Sequence, residues 1–243
     1  MDAQSRVAPA GLSCAPRASI ARVVLLAALL LVLALLACWW EAGTATGRAS
    51  TAWVAEAVEL YAPHEDLWVR LLRGGLSRIT VPVLVLGSAA ALVALLIAQS
   101  TASAVAAVVV MLGANLTVQV VKRGVLPFVP GLPGPKLSGH MAVAVGAAFV
   151  VVLAVAPSHR RTTARIAALL VVAAGVGVVV GSYHTVAEAV APLLVSVAWI
   201  VVVLALFGPR IVAENRTGNG ARRRRSVRCG TRPSAPSPGR EDA

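Results

Sequence analysis

Six stretches of the chain stay apolar long enough to cross a bilayer, with short polar segments between them. They are Ile20–Trp40, Val81–Ala98, Ala102–Val121, Met141–Ala156, Ile166–Tyr183 and Ala189–Phe207. A helix rises about 1.5 Å per residue, so about 20 residues traverse the hydrocarbon. The fourth stretch is short, and its first turn is expected to begin at Ser138. Strand-type alternation is absent. Backbone polar groups in lipid must be satisfied within their own segment, so every stretch is predicted to be helical. Gly146, Gly175, Gly177 and Gly181 lie in Ala/Val-rich runs that suit close helix contact. The expected fold is an all-α, six-transmembrane-helix bundle occupying residues 20–209.

Composition agrees. Of 243 residues 58% are hydrophobic and 13% charged, with a mean hydropathy of +0.82. Soluble domains are about half apolar and about a quarter charged, so an ordinary soluble enzyme and a disordered chain are both set aside. Cys14, Cys38 and Cys229 lie too far apart to suggest a disulfide framework. The net charge of +12 would suit nucleic acid, but the apolar content argues for a membrane and against that partner. The segment Leu35-Leu36-Ala37-Cys38 faintly resembles a lipoprotein cleavage site. Trp39-Trp40 directly after it reads instead as an interfacial anchor, so the first stretch is retained as a span.

Charge also orients the bundle. With a cytoplasmic N-terminus, fifteen Lys/Arg residues face the cytoplasm and seven face outward. The positive-inside rule therefore places residues 1–19 and the C-terminal segment inside, and the short loop carrying Arg160, Arg161 and Arg165 agrees. Residues 41–79 form the longest external loop. Trp53, Ala57, Leu60 and Tyr61 recur there at helical spacing, Pro63 stops the run, and Trp68, Leu71 and Leu72 follow. This pattern predicts an amphipathic helix, lying on the membrane or packed as a cap over the bundle. Residues 210–243, rich in Arg, Pro, Ser and Gly, are expected to form a disordered basic tail. Its Arg222–Arg225 run would attract anionic lipid headgroups or act as a topology signal.

Charge is costly within a membrane protein, so polar clusters point to function. The first is Lys122-Arg123, followed by Pro127, Pro130, Pro133 and Pro135. Next comes Lys136-Leu137-Ser138-Gly139-His140, and the third is Ser182-Tyr183-His184 with Glu188 four residues on. Helix counting brings all three to one membrane surface, whichever way the chain is oriented. Ser138 is a natural N-cap, and the amides after it form an anion site at a helix start. Gly139 allows a ligand close to the backbone. Lys122 supplies a cation, with Arg123 and Lys136 as nearby reserves. Two histidines can divide nucleophilic and acid–base work, and Glu188 can fix the tautomer of His184. Phosphoryl transfer through a phosphohistidine fits this set. No metal or cofactor is expected, since histidines and cysteines lack ligand spacing.

These residues resemble the type 2 phosphatidic acid phosphatase (lipid phosphate phosphatase) superfamily, related to vanadium haloperoxidases. Its pattern is K-x6-R-P, then P-S-G-H, then S-R-x5-H-x3-D. Here Lys122 and Pro130 match the first motif, Ser138-Gly139-His140 the second, and His184 with Glu188 the third. The resemblance covers about residues 20–207, including the family's six-helix order. It implies His184 as nucleophile, His140 as acid to the leaving oxygen and Glu188 as the group orienting His184. Lys122, Ser138 and Gly139 would hold the phosphate of a lipid phosphate or polyprenyl diphosphate. The chain departs from the pattern at Val129 and Val178, where the family has arginines, and at Gly177, Leu137 and Glu188. A hydrogen bond to a charged group is worth about 1.5–3 kcal/mol, so the missing arginines favour an alternative: an inactive relative that binds anionic lipid or scaffolds a partner.

Other polar residues have simpler expected roles. His64 and His159 read as solvated loop residues. Asn115, Thr117 and Gln119 alternate by two along a helix and cannot share a face, so interhelical hydrogen bonding is their expected job.

Overall fold

The computed structural model describes residues 18–62, 66–67, 69–70, 80–98, 100–128 and 137–230. Val129, Pro130, Pro133, Pro135 and Lys136 lie outside these residues, as do Pro63, His64, Trp68, Leu71, Leu72, residues 1–17 and residues 231–243. The described residues form seven α-helices: α1 (Ala18–Gly43), α2 (Ala45–Tyr61), α3 (Thr80–Ile97), α4 (Thr101–Val120), α5 (Gly139–Ala154), α6 (Arg160–Val180) and α7 (Val186–Gly230). A π-turn at Val121–Val125 and a 3₁₀ turn at Leu126–Phe128 continue α4.

Four helical stretches are long and apolar enough to cross a membrane: Ile20–Gly43, Thr101–Val125, Arg160–Val180 and Val186–Glu214. Two of the six expected spans are shorter, the apolar runs being Val85–Ile97 in α3 and Gly139–Ala154 in α5. The 16 residues of α5 reach about 24 Å, less than the roughly 30 Å of a hydrocarbon core. α5 is the central helix, in contact with α3, α4, α6 and α7, and Met141, Ala142, Val145, Val150 and Leu153 on it are buried. Small residues at Ala104, Ala106, Ala107 and Ala114 let α4 approach closely.

α2 takes the place of the expected amphipathic helix. Thr44 caps it by accepting from the Gly47 amide at 2.9 Å. The helix folds back so tightly that a Cβ at Gly47 would sit 2.0 Å from the Trp40 carbonyl oxygen, a contact only glycine permits.

The basic segment from Arg210 departs from expectation, because α7 runs unbroken for 45 residues to Gly230. Pro209 is its last proline, and nothing between Ile211 and Gly230 lacks an amide donor. Glu214 anchors this extension across the bundle, its two carboxylate oxygens accepting from the Ala102 amide at 3.0 and 3.2 Å at the start of α4. A carboxylate there also complements the helix dipole.

Candidate functional site

The site is assembled where α4 and α6 end and α5 and α7 begin. Its centre is the first turn of α7. Thr185 and Glu188 form a capping box: the Glu188 amide donates to Thr185 Oγ1 at 3.3 Å, and the Thr185 amide to Glu188 Oε2 at 3.2 Å. The same Oε2 lies 3.1 Å from His184 Nδ1. With Nδ1 donating to this carboxylate, Nε2 is left with no hydrogen bond among the described residues. Glu188 is thus a structural cap and a histidine partner at once. The T-x-x-E spacing was legible in the sequence as a helix start, a signal that the family pattern overshadows.

His184 reaches this position through a strained turn. Gly181 and Ser182 close α6 in a Schellman arrangement: the Ser182 amide donates to Val179 at 2.9 Å and the Tyr183 amide to Val178 at 3.1 Å. Ser182 has a φ of 57°, the left-handed conformation that glycine ordinarily takes at this position. A Cβ at Gly181 would strike the Tyr183 ring at 2.8 Å. Two residues later the chain delivers His184 to the Glu188 carboxylate.

Pro192 brings the second motif in. Four residues after Glu188, it has no amide to donate, so the Glu188 carbonyl is left without its helical partner. The Ser138 amide takes that carbonyl at 3.0 Å, tying the start of α5 to the first turn of α7. Ser138 occupies the N-cap position, yet its hydroxyl makes no cap bond, contrary to the expected capping role. Ser138 is fully buried (0% exposed), and its Oγ has no partner. Gln119 Oε1 is likewise buried without a partner. The Gln119 amide nitrogen would be 3.7 Å from a Cβ at Gly139, so it lines the same helix start. Buried polar atoms without partners are uncommon and costly. Here they cluster at a helix N-terminus, where an anion is favoured.

Lys122 supplies the cation. It lies in the π-turn that ends α4, and its Nζ donates to the Leu137 carbonyl at 3.3 Å, one residue before Ser138. Arg123, next along the turn, is exposed and is not brought into this group by a hydrogen bond. His140 is exposed, in the first turn of α5. These bonds link Lys122, Ser138, Glu188 and His184, with Gly139 and His140 in the helical turn that follows Ser138.

Val178 does not stand open to this group. It is buried (3% exposed) in an apolar cluster with Met141, Val145, Val171 and Ala189. The position that the resemblance reserves for a phosphate-binding arginine is core here.

Sequence reasoning missed Glu41. Reaching over from the end of α1, its carboxylate accepts from Thr185 Oγ1 at 2.6 Å and from Thr51 Oγ1 at 2.9 Å. It thereby binds α1 and α2 to the residue that caps α7. No spacing signal connects residues 41, 51 and 185, since only folding makes them neighbours. Arg48 joins Glu41, Thr185 and Glu188 around a small cavity of about 220 Å³. The three polar span residues also divide. Asn115 bonds its own helix at Met111, Thr117 accepts from Trp199 Nε1 of α7 at 3.0 Å, and Gln119 turns to the site. Only Thr117 makes the expected interhelical bond.

A larger cleft of about 830 Å³ opens beside His184, between the α1–α2 corner and the α6–α7 junction. Lys122, Ser138 and His140 do not line it. In comparisons with protein-family models, curated proteins and solved structures, nothing matches this chain.

Proposed function

We propose that the protein is an integral-membrane phosphatase that hydrolyses a phosphomonoester or diphosphate on a lipid through a phosphohistidine. The reading includes a six-span bundle of the type 2 phosphatidic acid phosphatase kind, with α3 and α5 as its two short spans. Both termini are cytoplasmic and the site faces outward at headgroup depth. The observation that carries it is the His184–Glu188 contact of 3.1 Å, linked through the Ser138–Glu188 backbone bond to a buried, unpartnered hydroxyl beside Lys122.

In this reading the phosphate sits at the start of α5, held by the Ser138 hydroxyl, the Gly139 amide and Lys122. Such preorganised donors stabilise the charge that develops in the transition state. His184 Nε2 attacks phosphorus as the bond to the lipid oxygen breaks, and His140 gives its proton to that oxygen. Glu188 stabilises the imidazolium that forms. Water then attacks the phosphohistidine, losing a proton to His140, and phosphate and neutral His184 are released.

A second reading, a weakly active or inactive relative that binds anionic lipid, is favoured by one observation: Val178 is core. Phosphate release from lipid phosphates by purified protein in detergent decides between the two. Wild type should turn over and His184→Ala should lose at least about 10³-fold, in keeping with removal of a covalent nucleophile. Equal, slow release by both proteins defeats the phosphatase reading. Vanadate protection of the wild type without turnover would support the binding protein.

A further inference from the structure

The 830 Å³ cleft beside His184 has two unlike parts. Thr51, Glu41, Thr185, Glu188 and His184 form a polar edge, joined by the hydrogen bonds already described, with Ser182 beside them. Beyond that edge the walls are apolar. α1 and α2 contribute Ala37, Val54, Ala55 and Val58, and the facing wall contributes Val179, Val186 and Val190. Thr51, Val54, Ala55 and Val58 recur at helical spacing, so one stripe of α2 is turned to the cleft. Trp53, Leu60 and Tyr61 are on other sides of the helix and stand 69, 71 and 80% exposed. Among the described residues, the acidic side chains lining the cleft are Glu41 and Glu188, and no lysine or arginine lines it. Phosphate is therefore repelled from the cleft and drawn to the Lys122–Ser138 side of His184, while a neutral apolar group is free to enter.

We propose that this cleft is the chain-binding subsite, in which α2 and the end of α1 clasp the hydrocarbon chain of an amphiphilic phosphate ester whose headgroup meets His184. The assignment rests on the phosphatase reading for the headgroup's position, and it makes α2 the element that selects chain length. The size falls within the roughly 300–1,000 Å³ of ordinary ligand sites. Both mouth and walls adjoin membrane-spanning helices, so a chain passes from lipid to cleft without crossing water. Each CH₂ taken from water contributes about 0.8 kcal/mol. Excluding two or three of them therefore costs about tenfold or more in affinity.

The test is photolabelling of the full chain in detergent with dodecyl phosphate carrying a terminal diazirine, mapped by mass spectrometry. The adducts should fall on residues 50–58 and on the start of α7. Ala55→Trp and Val58→Trp, which narrow the cleft from one wall, should each cut that labelling about tenfold, whereas Trp53→Ala on the outward stripe leaves the pattern in place. In active protein the same two variants should lower kcat/KM for hexadecyl over butyl phosphate by a similar factor. Adducts spread over the outer face of α1, or unchanged by either tryptophan, overturn the assignment. Labelling of the cleft by a protein that releases no phosphate would keep the subsite and sink the phosphatase reading, so the two failures are distinguishable.

Discussion

Ser182 shows how far the backbone of a single residue is constrained beside the site. Its left-handed conformation costs about 1–2 kcal/mol and is retained two residues from His184, where strain that positions a functional group is commonly found.

Between elements, the junction of α5 and α7 depends on an absent hydrogen bond. Pro192 frees the Glu188 carbonyl, and the Ser138 amide occupies it. Pro192→Ala would return an amide that competes for that carbonyl. The helix gains its missing bond, while Ser138 loses a partner worth about 1 kcal/mol and shifts from the site. The expected outcome is unchanged or raised thermal stability together with at least about fivefold slower phosphate release, since a shift of that size in energy is several-fold in rate. Equal loss of stability and activity would show that Pro192 serves packing alone. The far ends of the helices are tied in a similar manner. Glu214 caps α4, and Arg160 donates to the Val155 and Leu153 carbonyls at 3.3 and 3.1 Å, closing the end of α5. Among the described residues, these cross-helix bonds are made by polar groups at helix ends.

The molecule as a whole has two polar ends separated by an apolar middle. One holds the site, Glu41 and α2; the other holds Ser100, the Pro157–His159 turn and Glu214. The proposed sidedness puts the first end outside and the second in the cytoplasm, in keeping with the bias of Lys and Arg toward the latter. Single cysteines in an otherwise cysteine-free chain test it. A membrane-impermeant maleimide on intact cells should label Glu56→Cys on α2 and spare Ser158→Cys until the cells are opened. The opposite pattern would invert the topology and move the site to the cytoplasm.

Helical class, the places of the six apolar runs and the His184–Glu188 pairing were legible in the sequence. Hydrophobic run length and motif order are properties of neighbours along the chain. Helix counting even placed Lys122, His140 and His184 at one end of the bundle, because alternating spans leave no other choice. Tertiary structure alone decided what those residues touch. It buried Val178, left the Ser138 hydroxyl unpartnered and set Pro192 to free the carbonyl that Ser138 takes. It also brought in Glu41, more than a hundred residues from Thr185 in the chain. Such contacts arise from the packing angles of whole helices, which depend on side chains distant in sequence and leave no local pattern to read.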